Sequence, residues 1–366
     1  MTEGALAVQA CRRAIADTGL DPSEIDGISM FPYRATPPNP FSGPDIPFVQ
    51  RALGLQRLRW WMSTTGDHGQ LGAVIATVDA LEAGRAKHVV CYRAHRRQQR
   101  RYLAGGDDPT RVFDEEEHTM PYGGGGGAAK GALWAARYMA VHKVNQEELA
   151  QVNLNARFYA ATNPVAYWRT PTTLEEYLDS RWICPPLKIL DCDYPIDGAT
   201  AIVLSRTDSA DGCRSQVYVE STGCGPGPGG TWLTWGEKSE IAAGAAAAEM
   251  WSRTSLSPSD VDVAEMYDGF SFFTLQWLEA LGLAPPGKAG AWMADGAGKP
   301  DSEIGISTDG GQLGVGRLHG FGKLAQAARQ LRGDAPNQRP NASVAVASAS
   351  GGPNCACVLL TKERIR

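Results

Sequence analysis

The stretch AEMYDGFSFF, Ala264–Phe273, places a phenol and a carboxylate next to each other at Tyr267 and Asp268. A short apolar strand ends there, and Thr274–Leu281 then carries its apolar residues at helical spacing. Strand ends are where α/β proteins gather reactive side chains. A phenol so placed can carry a proton to or from a substrate oxygen. It serves equally as a core ring with a tethered hydroxyl. Asp268 falls in the first turn of the following helix, where a carboxylate caps free N–H groups and would fix the turn that aims Tyr267. Gly269 is expected to give that turn its conformational freedom.

Other chemistries are thinly represented. The eight cysteines contain no CxxC pair, so zinc-ligand spacing is missing and no metal is expected. A disulfide framework is implausible in a chain this long, and most of these thiols read as small buried apolar residues. A net charge of −5 argues against nucleic acid as a general partner. With 43% apolar and 20% charged residues over 366 positions, the composition is that of an ordinary globular protein with two fused subdomains. No apolar run approaches the roughly 20 residues that span a bilayer. The amphipathic N-terminus sets Val8, Cys11 and Ile15 on one helical face and lacks the apolar centre of a signal peptide. A cytoplasmic protein is expected.

The elements that must hold Tyr267 belong to a repeat. DPSEIDGISMF (Asp21–Phe31) and SPSDVDVAEMY (Ser257–Tyr267) share a pattern of Pro, Ser, acid, β-branched residue, Asp and short strand. Each follows a helical segment. Each is followed by a glycine-opened helix and a strand: GDHGQLGAVIATVDALEAG with HVVCY, then GVGRLHGFGKLAQAARQLRG with SVAVASA. Two copies at half-chain spacing imply a duplicated α/β fold, with halves at 1–210 and 211–366. The first half holds a long insertion at about 93–190, a length usual for substrate-covering or oligomer-forming segments.

Three stretches carry a resemblance: Asn163–Ser205, EMYDGFSFF, and STDGGQLGVGRLHGFG. Together with the duplication they make the chain similar to the thiolase superfamily, in its lipid-transfer or sterol-carrier branch. The resemblance implies two βαβαβ-type halves layered α-β-α-β-α. Thiolase folds open on a strand and this chain opens on a helix, so either its start is placed late or the first sheet is one strand short.

Thiolases use a cysteine at a helix start, which here falls within TTGDHGQ; no cysteine lies between Cys11 and Cys91. His68 is the basic side chain at that helix start, or else a hydrogen-bonded loop residue. The second thiolase cysteine precedes the turn SASGGPN, where Gly351 and Gly352 would bring backbone N–H groups to a thioester oxygen, or simply form a turn. The thiolase histidine position is Arg317, which cannot act as a base. His319, two residues on, can. Tyr267 stands where the family holds an amide or imidazole that orients water.

Without a cysteine, C–C cleavage must avoid an acyl-enzyme, and a retro-aldol needs none. MYDGFSFFTLQWLEALGL and GRLHGFGK resemble the steroid side-chain-cleaving aldolases. That resemblance implies cleavage of a 17-hydroxy steroid C22 acyl-CoA to a 17-keto steroid and propionyl-CoA. Tyr267, His319 and His68 would be acid and base in an open order, with Asp268, Arg317, Gly351 and Gly352 in support. It implies no cofactor, coenzyme A being part of the substrate. It also implies a homodimeric core, paired near Leu58–Thr65, bound to a small OB-fold and zinc-ribbon-type partner as a heterotetramer. The alternative is a non-catalytic acyl-CoA- or sterol-binding protein. The basic run Arg93–Arg101 is expected on a solvated or intersubunit face, with coenzyme A phosphates as its other reading. Trp60 and Trp61 are expected in a strand core, with a sterol platform as their other reading.

Overall fold

Each copy of the repeat builds one sheet. The computed structural model describes residues 1–31, 44–63, 71–96, 117–124, 126–226 and 241–365. The first half runs α1 (Glu3–Thr18), β1 (Gly27–Met30), α2 (Ile46–Leu53), β2 (Trp60–Ser63), α3 (Leu71–Glu82) and β3 (His88–His95). An excursion follows: α4 (Gly127–His142), α5 (Gln146–Thr162), α6 (Leu174–Asp179), β4 (Trp182–Cys184) and β5 (Leu187–Lys188). The chain then returns as β6 (Gly198–Ser205). The second half runs β7 (Tyr218–Pro226), α7 (Ala243–Trp251), β8 (Val263–Glu265), α8 (Ser271–Ala280), α9 (Ala289–Ala294) and β9 (Gly305–Ile306). It ends with α10 (Gly311–Gly314), α11 (Phe321–Arg332), β10 (Val344–Ala349) and β11 (Asn354–Thr361).

The sheet orders are β2-β1-β3-β6 and β7-β11-β10-β8-β9. Reading β1, β2, β3 and β6 against β8, β9, β10 and β11, the parallel and antiparallel pairings coincide. The leaders into β1 and β8 match in detail. Asp21 with Glu24, and Ser257 with Asp260, each close a reciprocal capping box around a one-turn 3₁₀ helix. Among the described residues β7 has no counterpart in the first sheet.

Strand alternation assigns the layers. Val90, Tyr92 and Ala94 of β3 face α1 and α2, while Val89 and Cys91 face α3 and α11. Ala345, Ala347 and Ala349 of β10 meet α3 and α11 from the other side. Val344 and Val346 face the layer that holds α7 and α8. The order is therefore α-β-α-β-α. Helix α8 is buried from Ser271 to Leu278 on every face, which is why its sequence shows no polar stripe. One expectation fails here. Trp60 packs partly against the core, but Trp61 is 65% exposed on the edge strand β2, because successive strand residues point to opposite faces.

Candidate active site

Tyr267 leaves β8 with its backbone N–H donated to Ser348 Oγ of β10 at 2.8 Å. Its half-buried ring lies 5.9 Å from that of Phe273. Burial raises the phenol well above its ordinary pKa, and the carboxylates of Asp193 and Asp268 add to the effect. Arg93 and the Gln312 amide oppose it without reversing it. The phenol is therefore protonated across neutral pH.

Asp268 does not cap α8, whose N-cap is Phe270 with no side-chain cap bond. Fully buried, it turns the other way. It faces Lys323 Nζ at 3.0 Å and accepts the Leu313 N–H of α10 at 3.2 Å. A buried carboxylate needs a cation, and Lys323 supplies it. Lys323 also lies 4.0 Å from Asp309, and Glu265 accepts from the Thr308 N–H at 3.0 Å nearby. Three carboxyls thus crowd one ammonium. Burial and Asp309 push the Glu265 carboxyl up to about 8.

His319 has a left-handed backbone, φ +58°, which its N–H fixes by donating to Gln312 Oε1 at 2.8 Å. Its Nδ1 is buried with no hydrogen-bond partner. Burial, helped by the positive charges of Arg93 and Arg317, holds the imidazole neutral far below its ordinary pKa. Gln312, beside the phenol and bonded to the His319 backbone, brings these two segments together.

Arg317 was expected in a supporting role beside the acid and base. Instead its Nε donates to Asp193 Oδ1 at 2.7 Å, and its backbone N–H to the Tyr194 carbonyl at 2.7 Å. The cation that acts on the phenol is Arg93. This corrects the reading of the basic run. Arg93 and His95 are 2% and 4% exposed at the end of β3, two residues apart on one strand face, and Arg93 sits 4.8 Å from the Phe31 ring centroid. The His95 and His319 rings are 6.4 Å apart, and burial lowers His95 to about 4. Residues 97–101 and His68 lie outside the described residues.

Gly351 is required by packing: a Cβ there would sit 2.5 Å from the Phe273 ring. Gly352 has φ +73° and its carbonyl accepts the Ala242 N–H at 2.8 Å. Beside the Asp193–Arg317 pair lies a cleft of about 720 Å³, walled by Tyr167, Tyr194, Ile196 and Val315. The two tyrosine rings stack at 4.8 Å. Sequence reasoning passed over Asp193, Gln312 and His95. The alternation in HVVCYRAH was the one signal that placed Arg93 and His95 on a common face with buried Val89 and Cys91.

Comparison with known proteins agrees with this architecture. A family model described as thiolase C-terminal domain-like matches residues 236–360. The chain is 33% identical to the 17-hydroxy-3-oxo-4-pregnene-20-carboxyl-CoA lyase of Mycobacterium tuberculosis, over 97% of this chain and 93% of that protein. It is also 33% identical to a steroid side-chain-cleaving aldolase of Thermomonospora curvata, over 97% of this chain and 92% of the relative. The solved Ltp2-ChsH2(DUF35) aldolase superposes with a TM-score of 0.89 at 31% identity, covering all of this chain and 94% of that one.

Proposed function

This chain belongs to the steroid side-chain-cleaving aldolases of the thiolase superfamily, and from that premise we propose that it performs a retro-aldol cleavage of a β-hydroxyacyl-CoA. The substrate is a 17-hydroxy steroid with a C22 side-chain thioester, and the products are a 17-keto steroid and propionyl-CoA. His319 Nδ1 takes the proton of the β-hydroxyl. The O–H electrons form the ketone, the Cα–Cβ pair moves to the thioester as an enolate, and Tyr267 donates its proton to Cα. The proton on His319 then returns to Tyr267, and the site is restored.

The observation that carries this reading is the pairing of protonation states. A neutral imidazole with an unpartnered buried nitrogen and a phenol held protonated are linked through Gln312, which bonds the His319 backbone and lies beside the phenol, and these are the forms a base and an acid must have at the start. No thiol is needed. Buried Cys91 lies 3.2 Å from Thr77 Oγ1, and burial pushes it up to about 12, away from thiolate. The Arg317–Asp193 pair, joined to Tyr194 by a backbone bond, holds the wall between this site and the aromatic cleft.

The assembly we propose is a homodimeric core pairing along the β2 edge and carrying a second, smaller OB-fold and zinc-ribbon-type protein. Its support is the exposed Trp61 on that edge strand and the fold shared with the Ltp2-ChsH2(DUF35) aldolase. Among the described residues no helix is long and apolar enough to cross a membrane.

The test is incubation with the 17-hydroxy C22 acyl-CoA, with mass spectrometry of both products and of the intact protein. Equal amounts of ketone and propionyl-CoA with no mass added to the chain are expected. A turnover-competent acyl adduct would sink the mechanism. Binding without any product would leave an acyl-CoA-binding protein.

A further inference from the structure

We propose that Gln312 supplies the hydrogen bond that receives the substrate's thioester oxygen as it becomes the enolate. The inference rests on the retro-aldol reading and adds to it the site where charge develops.

Gln312 is 3% exposed. Its Oε1 accepts the His319 N–H at 2.8 Å, which fixes the amide's orientation, since only the oxygen can accept from a backbone donor. Nε2 must then point away from His319. It is buried on the side of the Tyr267 phenol and makes no hydrogen bond of full geometry there. A buried amide donor left unmatched is costly, and such groups in native structures call for an explanation. Here the amide lies beside the Tyr267 phenol.

The substrate's own geometry fits that arrangement. In a β-hydroxyacyl thioester the hydroxyl and carbonyl oxygens are borne on carbons separated by one Cα. Both come within reach of groups that stand side by side. The imidazole of His319 meets the hydroxyl, the phenol meets Cα, and the Gln312 N–H meets the remaining oxygen. As the Cα–Cβ pair moves, that oxygen gains the negative charge and the donor strengthens without having to move.

Rigidity of the donor follows from its setting. α10 is tied down by the Leu313 N–H on Asp268 and, through Asp268, by Lys323. Gly310 and Gly311 have φ +103° and +62°, and a Cβ at Gly311 would sit 2.0 Å from Asp268 Oδ2. The turn that delivers Gln312 is closed against the carboxylate next to Tyr267.

Two variants separate the donor from the acceptor of the same amide. Gln312→Glu keeps an oxygen for the His319 N–H and loses the donor, whereas Gln312→Met loses both. With the protein purified together with its partner, kcat should fall about 100- to 1,000-fold in each while KM stays within a few-fold. A Gln312→Glu protein that cleaves at near wild-type rate overturns the proposal, since Gln312 would then only hold the His319 loop. A loss confined to KM overturns it also.

The second measurement needs no turnover. A nitronate analogue of propionyl-CoA presents negative oxygen where the enolate oxygen forms. Wild-type protein should bind it more tightly than propionyl-CoA, and Gln312→Met should erase that preference while still binding propionyl-CoA. An unchanged preference overturns the proposal even if the Glu variant does not fold. Wild-type protein that cleaves nothing and shows no preference overturns both this and the retro-aldol reading. Wild-type cleavage with tolerant variants overturns this one alone.

Discussion

The phenol of Tyr267 occupies the space that a side chain at Gly269 would need. A Cβ built on Gly269 falls 2.7 Å from the phenolic oxygen and 2.9 Å from two ring carbons. The glycine is there to admit the ring, not to relax the backbone. Its carbonyl, at 3.3 Å from the Asp193 N–H, meanwhile ties the turn to the segment that pairs with Arg317.

Gly269→Ala should therefore push the hydroxyl aside by a fraction of an ångström to an ångström without unfolding the chain. Misplacement on that scale costs on the order of 100-fold in rate. Single-turnover cleavage by the Ala variant, compared with its melting temperature, checks this. Wild-type kinetics in the variant would mean that the ring has freedom the packing denies.

Tyr267→Phe removes only the oxygen. The ring keeps its contact with Phe273, and the Tyr267 backbone bond to Ser348 is untouched. Loss of a positioned general acid costs about 100- to 10,000-fold. Cleavage should fall by that factor while acyl-CoA affinity, measured by calorimetry, holds. Near-normal turnover would reduce Tyr267 to a packing residue.

Stability should depend on pH through Glu265. Burial raises its carboxyl to about 8 from the ordinary 4.5, so the folded chain keeps a proton that the unfolded chain has shed. The stability tied to that proton is complete below 4.5 and is lost as pH rises through about 8. The melting temperature should fall across this window and then level. Glu265→Gln, neutral in both states, should flatten the slope. An unchanged slope in the Gln variant would assign it to another group.

The sequence disclosed the frame more readily than the centre. The repeat was legible because Asp21–Phe31 and Ser257–Tyr267 carry the same local capping chemistry, and local chemistry is what a sequence displays. Tyr267 and His319 could be singled out as candidates because strand–helix and loop–helix junctions announce themselves through glycine and apolar periodicity. Arg93 and His95 were not, because a run of basic residues reads as solvated unless something distant buries it. What buries them comes from elsewhere in the chain, as the 6.4 Å between the His95 and His319 rings records. Asp268 was misread for the same reason. Its neighbours in sequence offered a helix end to cap, whereas its partner, Lys323, comes from another helix.

Lys323 carries the sharpest stability prediction. It is 2% exposed, and its ammonium stands among Asp268 at 3.0 Å, Asp309 at 4.0 Å and the buried Glu265. These carboxylates hold the ammonium above its ordinary pKa although burial pulls the other way. Lys323→Met keeps most of the stem's volume and deletes the charge, leaving Asp268 buried without its cation. Removing one partner of a buried pair typically costs about 3–5 kcal/mol. Urea unfolding should show a loss of that size. Adding Asp268→Asn should recover part of it, because an amide needs no counter-ion and can still accept the Leu313 N–H. The double variant would still cleave slowly, since the anchor that fixes the Tyr267 turn against α10 is weakened. A Lys323→Met protein of wild-type stability would mean that Asp268 takes up a proton in the fold, and the turn beside Tyr267 would then be held by hydrogen bonds alone.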